Sequence, residues 1–126
     1  MLTRYRKTLV ALSAITVCAT AITGLHAQSK PPVYAIIDIS EISDVDAYVK
    51  AVSAAEPKAS NAAGGRFVIR SNKATALDGG APNRFVVIAF ESEEKAKAWY
   101  AAVKNVNDVR MKVAKSRAFL VEGLAN

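Results

Sequence analysis

Apolar positions along the chain fall into two regimes. Residues 8–25 form a nearly continuous uncharged run, whereas from Val33 onward apolar and polar residues alternate at a period of two or recur near 3.6. Residues 33–39 (VYAIIDI) are β-branched and of strand length. Ser43 is then the expected N-cap, with Asp44 and Asp46 in the first turn, where the helix dipole favours acids. Val45, Tyr48, Val49 and Val52 form one apolar stripe, which predicts a helix over about residues 44–56. Pro57 breaks or kinks it, residues 58–63 add a further turn, and Gly64 with Gly65 stops it.

The same reading predicts a second strand over residues 66–70, a loop over 71–83, and a third, strongly apolar strand over 84–90. Ser92 caps a helix with Ala96, Trp99, Tyr100 and Val103 on one face; residues 107–114 are helical, and 117–122 form a last strand. Tyr34 precedes Tyr48, and Phe85 precedes Trp99, by the same 14 residues, a faint internal echo. Strand-helix-strand twice over is the ferredoxin-like βαββαβ pattern. It is an α+β fold with an antiparallel four-stranded sheet and both helices on one face.

The N-terminal run changes the picture of composition and charge. The chain has 126 residues, 52% hydrophobic, and a net charge of +6 from 17 basic and 11 acidic side chains. Residues 1–7 carry Arg4, Arg6 and Lys7 and no acid, the apolar run follows, and Ala27 offers a small residue for cleavage. This order reads as a secretory signal peptide over residues 1–27 of an exported, periplasmic or secreted protein. The alternative is a retained N-terminal membrane anchor, although Thr, Ser and Gly dilute the run and no basic stop-transfer cluster follows. Residues 28–32 then form a Pro-containing linker and 33–123 the domain.

Cleavage removes three basic residues, lowering +6 to +3, and also removes Cys18 and His26, the only residues of their types. A domain without thiol or imidazole has no Cys/His zinc site, no Cys nucleophile, no Ser-His-Asp triad and no disulfide. No metal or cofactor is therefore expected, and no membrane contact after cleavage. The modest charge, spread over both helices, gives no basic stripe for nucleic acid.

Strand parity names the candidate site. On the first strand Tyr34, Ile36 and Asp38, and on the second Arg66, Val68 and Arg70, are expected on the face away from the helices. The third strand adds Val86, Ile88 and Phe90, or Phe85 and Val87, to a face too apolar for water. A homodimer packed sheet to sheet, with a central cavity, is the expected remedy. With strand order four, one, three, two, Asp38, Arg70, Arg84 and Arg117 share one rim. Three guanidiniums beside one carboxylate suit a small organic acid, or else Asp38 pairs with one Arg and the others are solvated. Tyr34 and Arg66 lie at the opposite end, where they could anchor an anionic aromatic molecule or simply pack in an interface. Trp99 and Tyr100 read as core.

Several segments resemble the domain of unknown function 1330 family. They are residues 34–38, Ala47-Tyr48, Gly64 to Arg70, Arg84 to Phe90, Ala98-Trp99-Tyr100, Ser116-Arg117 and Val121-Glu122-Gly123. The resemblance implies the dimeric α+β barrel superfamily but supplies no reaction. Ser71-Asn72 stands where the family often has a second glycine pair, and residues 101–104 replace its Ser-Pro-Glu-Tyr type segment. The expected function is binding or transforming a small anionic organic molecule in the inter-sheet cavity. Asp38 is the candidate general base, Arg the anchor and Tyr34 the hydrogen-bond or proton donor. The alternative is a non-catalytic periplasmic interaction module with no small-molecule site.

Overall fold

The computed structural model describes residues 30–125. The expected signal peptide and the first two linker residues lie outside these, and Lys30, Pro31 and Pro32 carry no regular structure. Strands β1 (Val33–Ile42), β2 (Arg66–Ser71), β3 (Arg84–Phe90) and β4 (Ala114–Glu122) form an antiparallel sheet in the order β2-β3-β1-β4. Helix α1 (Val45–Tyr48), a π-helical turn (Val49–Ser53) and helix α2 (Glu56–Ala62) join β1 to β2. Helices α3 (Glu93–Ala102) and α4 (Lys104–Val113) join β3 to β4. The result is the ferredoxin-like α+β fold.

The first connection departs from the single helix that its apolar stripe predicts. Asp44, not Ser43, is the N-cap: its carboxylate accepts from the Ala47 N–H at 3.0 Å. Ser43 instead directs its N–H and hydroxyl to the Val113 carbonyl, at 2.7 and 3.0 Å. Pro57 stands in the first turn of α2, where a missing N–H costs nothing, so it begins a helix rather than ending one. The chain between widens into the π turn, with the Ala54 N–H reaching the Val49 carbonyl at 3.1 Å. Gly64 ends the layer with φ +78°, a left-handed conformation natural to glycine.

The core lies between the sheet and the helices. Ala35, Ile37 and Ile39 of β1 and Val86, Ile88 and Phe90 of β3 meet Tyr48, Val52, Ala96, Trp99 and Val103. The Phe90 and Trp99 ring centroids are 5.3 Å apart. Gly65 admits this packing, since a Cβ there would stand 2.8 Å from Ile88 Cγ2 and 2.9 Å from the Phe90 ring.

Cross-strand partners share a face, so the register settles the parity left open for β3. Val86, Ile88 and Phe90 face the helices; Phe85, Val87 and Ala89 lie on the open face with Tyr34, Ile36 and Asp38. In β2, Phe67 pairs with Ile88 but Ile69 pairs with Val87, leaving Val68 as an unmatched bulge residue. A one-residue shift exchanges faces. Ile69 therefore reaches the open face and Arg70 turns to the helices, the reverse of strict alternation.

Candidate functional site

The six candidate side chains separate into three groups. Asp38 and Arg117 are cross-strand neighbours on the open face, and Arg117 Nε donates to Asp38 Oδ2 at 3.0 Å. Arg117 also lies over the Phe119 ring at 5.5 Å. The bridge is largely solvated, so it fixes geometry more than it adds stability.

Arg70 and Arg84 end near the same rim as Asp38 and Arg117 but on the other face, which corrects the expected four-residue cluster. Arg84 pairs with Ile39, whose side chain is fully buried beneath the helices, and Arg70 pairs with Val86 after the bulge. Both converge on Glu56, a residue only 5% exposed: Arg70 Nε and Arg84 Nη2 each stand 3.7 Å from Glu56 Oε2. Arg84 also lies 5.8 Å from the Tyr48 ring. Burial pushes the Glu56 carboxyl above its ordinary range, against the pull of Arg84, Arg70 and Arg110. The same burial, reinforced by the Glu56 charge, raises the Tyr48 phenol.

The helix-layer cluster extends to residues that the sequence reading did not single out. Arg110 is 3% exposed and donates to Ser116 Oγ at 2.7 Å, to Asn107 Oδ1 at 3.3 Å and to Tyr100 Oη at 3.4 Å. A cavity of about 10 Å³, enough for one water, is lined by Glu56, Trp99, Asn107 and Arg110 among apolar neighbours. The signal was present as spacing. Glu56 and Ser60 continue the Tyr48–Val52 stripe by fours, and Asn107 and Arg110 continue it from Val103. A charge on a buried stripe marks an interior polar group.

Tyr34 and Arg66 form the third group. Both lie opposite Ala89, one on each flank, which places their backbones about 10 Å apart across two strand spacings. An open recess of about 890 Å³ lies beside Ala89, bordered by Tyr34, Arg66, Lys30 and Lys95 and also by Glu91 and Glu94. Lys95 is bound to Glu91, whereas Arg66 has no ion pair among the described residues. The Tyr34 ring is held between Pro32 and Gly123, because a Cβ on Gly123 would come within 2.5 Å of Tyr34 Cε2 and 3.0 Å of Pro32 Cγ. The Gly123 N–H completes the clamp by donating to the Pro32 carbonyl at 2.7 Å. Among the described residues, no group of three or more Asp or Glu stands close enough to hold a metal ion, and no helix is long and apolar enough to cross a membrane.

Fold and site together define a small ferredoxin-like α+β domain with an apolar open sheet face and, at one end of it, a guanidinium without an ion pair among the described residues. The spacing of its strands, glycines and aromatic helix residues runs through nearly all of the described chain. The protein belongs to the DUF1330 family, a domain of unknown function, whose model matches residues 32–124. Among solved structures it is similar to the RPA0582 protein of unknown function from Rhodopseudomonas palustris, at 13% identity and a TM-score of 0.57, over 77% of this chain and 85% of that one. The methylated RPA0582 protein matches at 12% identity and 0.56, over 75% and 82% of the two chains. At such identities the likeness concerns the fold alone. No curated protein matches.

Proposed function

We propose that the protein is an exported homodimer that binds a small anionic organic molecule between the open faces of two sheets. Export rests on the basic, apolar, small-residue order of residues 1–27. Dimerisation is supported by the open face, where Ile69, Phe119 and Val121 are each 40% exposed or more and Ile69 and Phe119 flank the Val87–Ile36 row. A contiguous apolar patch of this kind calls for cover, and a second copy on a two-fold axis supplies a matching one.

The observation that carries the ligand reading is the Arg66 guanidinium, without an ion pair among the described residues, across Ala89 from Tyr34. A guanidinium takes a carboxylate through two parallel hydrogen bonds, and a phenol can donate a third. The body of an aromatic or short-chain acid would rest on Ala89 and Val87. Asp38 is bound to Arg117 at the far end, which favours a rim brace over a general base, so binding rather than proton abstraction is assigned.

A thermal-shift screen of aromatic and short-chain organic acids tests this on wild type and Arg66→Ala. A ligand at 100 times its Kd stabilises the native state by about 2.7 kcal/mol, a shift of several degrees. That shift should vanish in the variant. Absence of stabilisation by any acid, with the dimer intact, would leave an interaction module in place of a binder.

A further inference from the structure

A separate groove lies on the helix side of the sheet. Helix α3 packs over β1 and β3 and stops short of the edge strand β4. The side chains that could close the gap are alanines: Ala96 and Ala101 from α3 and Ala118 from β4. Their methyl groups leave about 270 Å³ between walls formed by Trp99, Tyr100 and Leu120. We infer that this groove is a binding site for a small uncharged aromatic molecule carrying one hydrogen-bond acceptor.

Size and chemistry select that class. An apolar cavity of about 150 Å³ holds one benzene ring, so this groove has room for a ring with a substituent. Its lining is almost entirely carbon, and the charges nearby are already committed. Lys97 is bound to Glu93 at 2.6 Å and both are well exposed, so the ammonium stays in water. Arg110 does not line the groove and gives its Nη1 and Nη2 donors to Ser116, Asn107 and Tyr100. A carboxylate entering here would lose its hydration without gaining a free cation. Tyr100 Oη, however, accepts from Arg110 Nη2 at 3.4 Å, which leaves its own proton for an acceptor on the ligand. A ring against Trp99 with a carbonyl toward Tyr100 uses the free phenol proton and leaves the rest of the lining in apolar contact. The inference does not depend on the Tyr34 and Arg66 reading, whose ligand is an anion on the opposite face.

Acetophenone is the probe, with toluene and benzoate as controls, titrated into the full-length gene product labelled at alanine methyl carbons and followed by NMR. The expected result is saturable shifts of the Ala96, Ala101 and Ala118 methyl signals with acetophenone and none there with benzoate. Ala118→Phe fills the groove from an exposed edge-strand position and should weaken acetophenone at least tenfold without changing the melting temperature. Ala101→Leu, on the exposed side of α3, is the second filling variant should Ala118→Phe fold poorly. Tyr100→Phe should weaken acetophenone several-fold and leave toluene unchanged. The inference is overturned by shifts confined to the open face, by both filling variants titrating like wild type, or by alanine signals that move with protein dilution alone. The last outcome would mean that a second copy of the chain fills the groove.

Discussion

Arg70 Nη2 donates to the main-chain carbonyl of Ser53 at 2.6 Å. That carbonyl lies four residues before Pro57, which has no N–H to offer it. A guanidinium on β2 thus replaces the helical hydrogen bond that the proline deletes, and it also stands beside Glu56. Removing Arg70 should therefore harm stability through the helix layer, not through a ligand site. Arg70→Ala is expected to cost about 1–2 kcal/mol, reduced from the usual range for charged hydrogen bonds because the side chain is one-third exposed. In a Pro57→Ala background an N–H is restored, so the same change should cost at least ~0.5 kcal/mol less. Urea denaturation of the four proteins in this cycle reads the coupling, and strictly additive losses would sink the account.

The burial of Glu56 makes the stability of the fold depend on pH. Its carboxyl titrates above its unfolded value because burial disfavours the charge. The native state therefore holds the proton more tightly, and the contribution is full below the unfolded pKa near 4.5 and is lost as pH rises through the folded value. Glu56→Gln should flatten that decline while keeping the shape of the side chain. Glu56→Ala leaves Arg84 and Arg110 in the interior without a counter-ion and should cost about 3 kcal/mol or more at neutral pH. Stability curves of the three proteins from pH 4 to 8 decide this, and an unchanged slope in Glu56→Gln would assign the titration elsewhere.

The strand order was legible in the βαββαβ succession of elements, and the third strand's boundaries in its short apolar run between a polar loop and the Ser92 cap. The site was less legible. Arg70 reads as an open-face residue under strict parity, and only the pairing of Ile69 with Val87 shows that Val68 is skipped. A bulge changes no residue type, so periodicity cannot reveal it. Arg84 was misplaced for a related reason, since residues 85–90 are apolar on both faces and carry no parity of their own. Arg66 kept its place because it lies before the bulge, and Tyr34 because β1 pairs with β3 in unbroken register from Val33 to Ile39.

Gly123 separates ligand binding from folding. Its Cα lies so close to the Tyr34 ring that a methyl group would displace the phenol. Gly123 has no positive φ and sits after the last strand, so Gly123→Ala should lower stability by about 1 kcal/mol or less as the ring yields. Organic-acid binding at the Tyr34–Arg66 recess should fall much further, about tenfold. Gly65→Ala is the contrasting change: its Cβ meets Ile88 and Phe90 in the core, and a loss of about 1–3 kcal/mol is expected. Calorimetric melting beside ligand titration distinguishes the two, and equal losses of stability would remove the special role given to Gly123.

Phe119 offers the most direct test of the sheet-to-sheet dimer. It pairs with Ile36 on the open face, is 40% exposed, and stacks under the Arg117 guanidinium at 5.5 Å. If a second sheet covers this face, Phe119→Asp places a carboxylate in an apolar contact, beside Arg117 but away from water. The substitution should weaken the dimer by about 2 kcal/mol, roughly thirtyfold in its dissociation constant. Leu77→Asp serves as the control, since Leu77 is 99% exposed in the loop before β3 and far from regular sheet contacts. Sedimentation equilibrium across a hundredfold range of protein concentration should show self-association reduced in the first variant and unchanged in the second. A wild-type chain that stays monomeric throughout would defeat the sheet-to-sheet reading and leave Ile69, Phe119 and Val121 to a different partner.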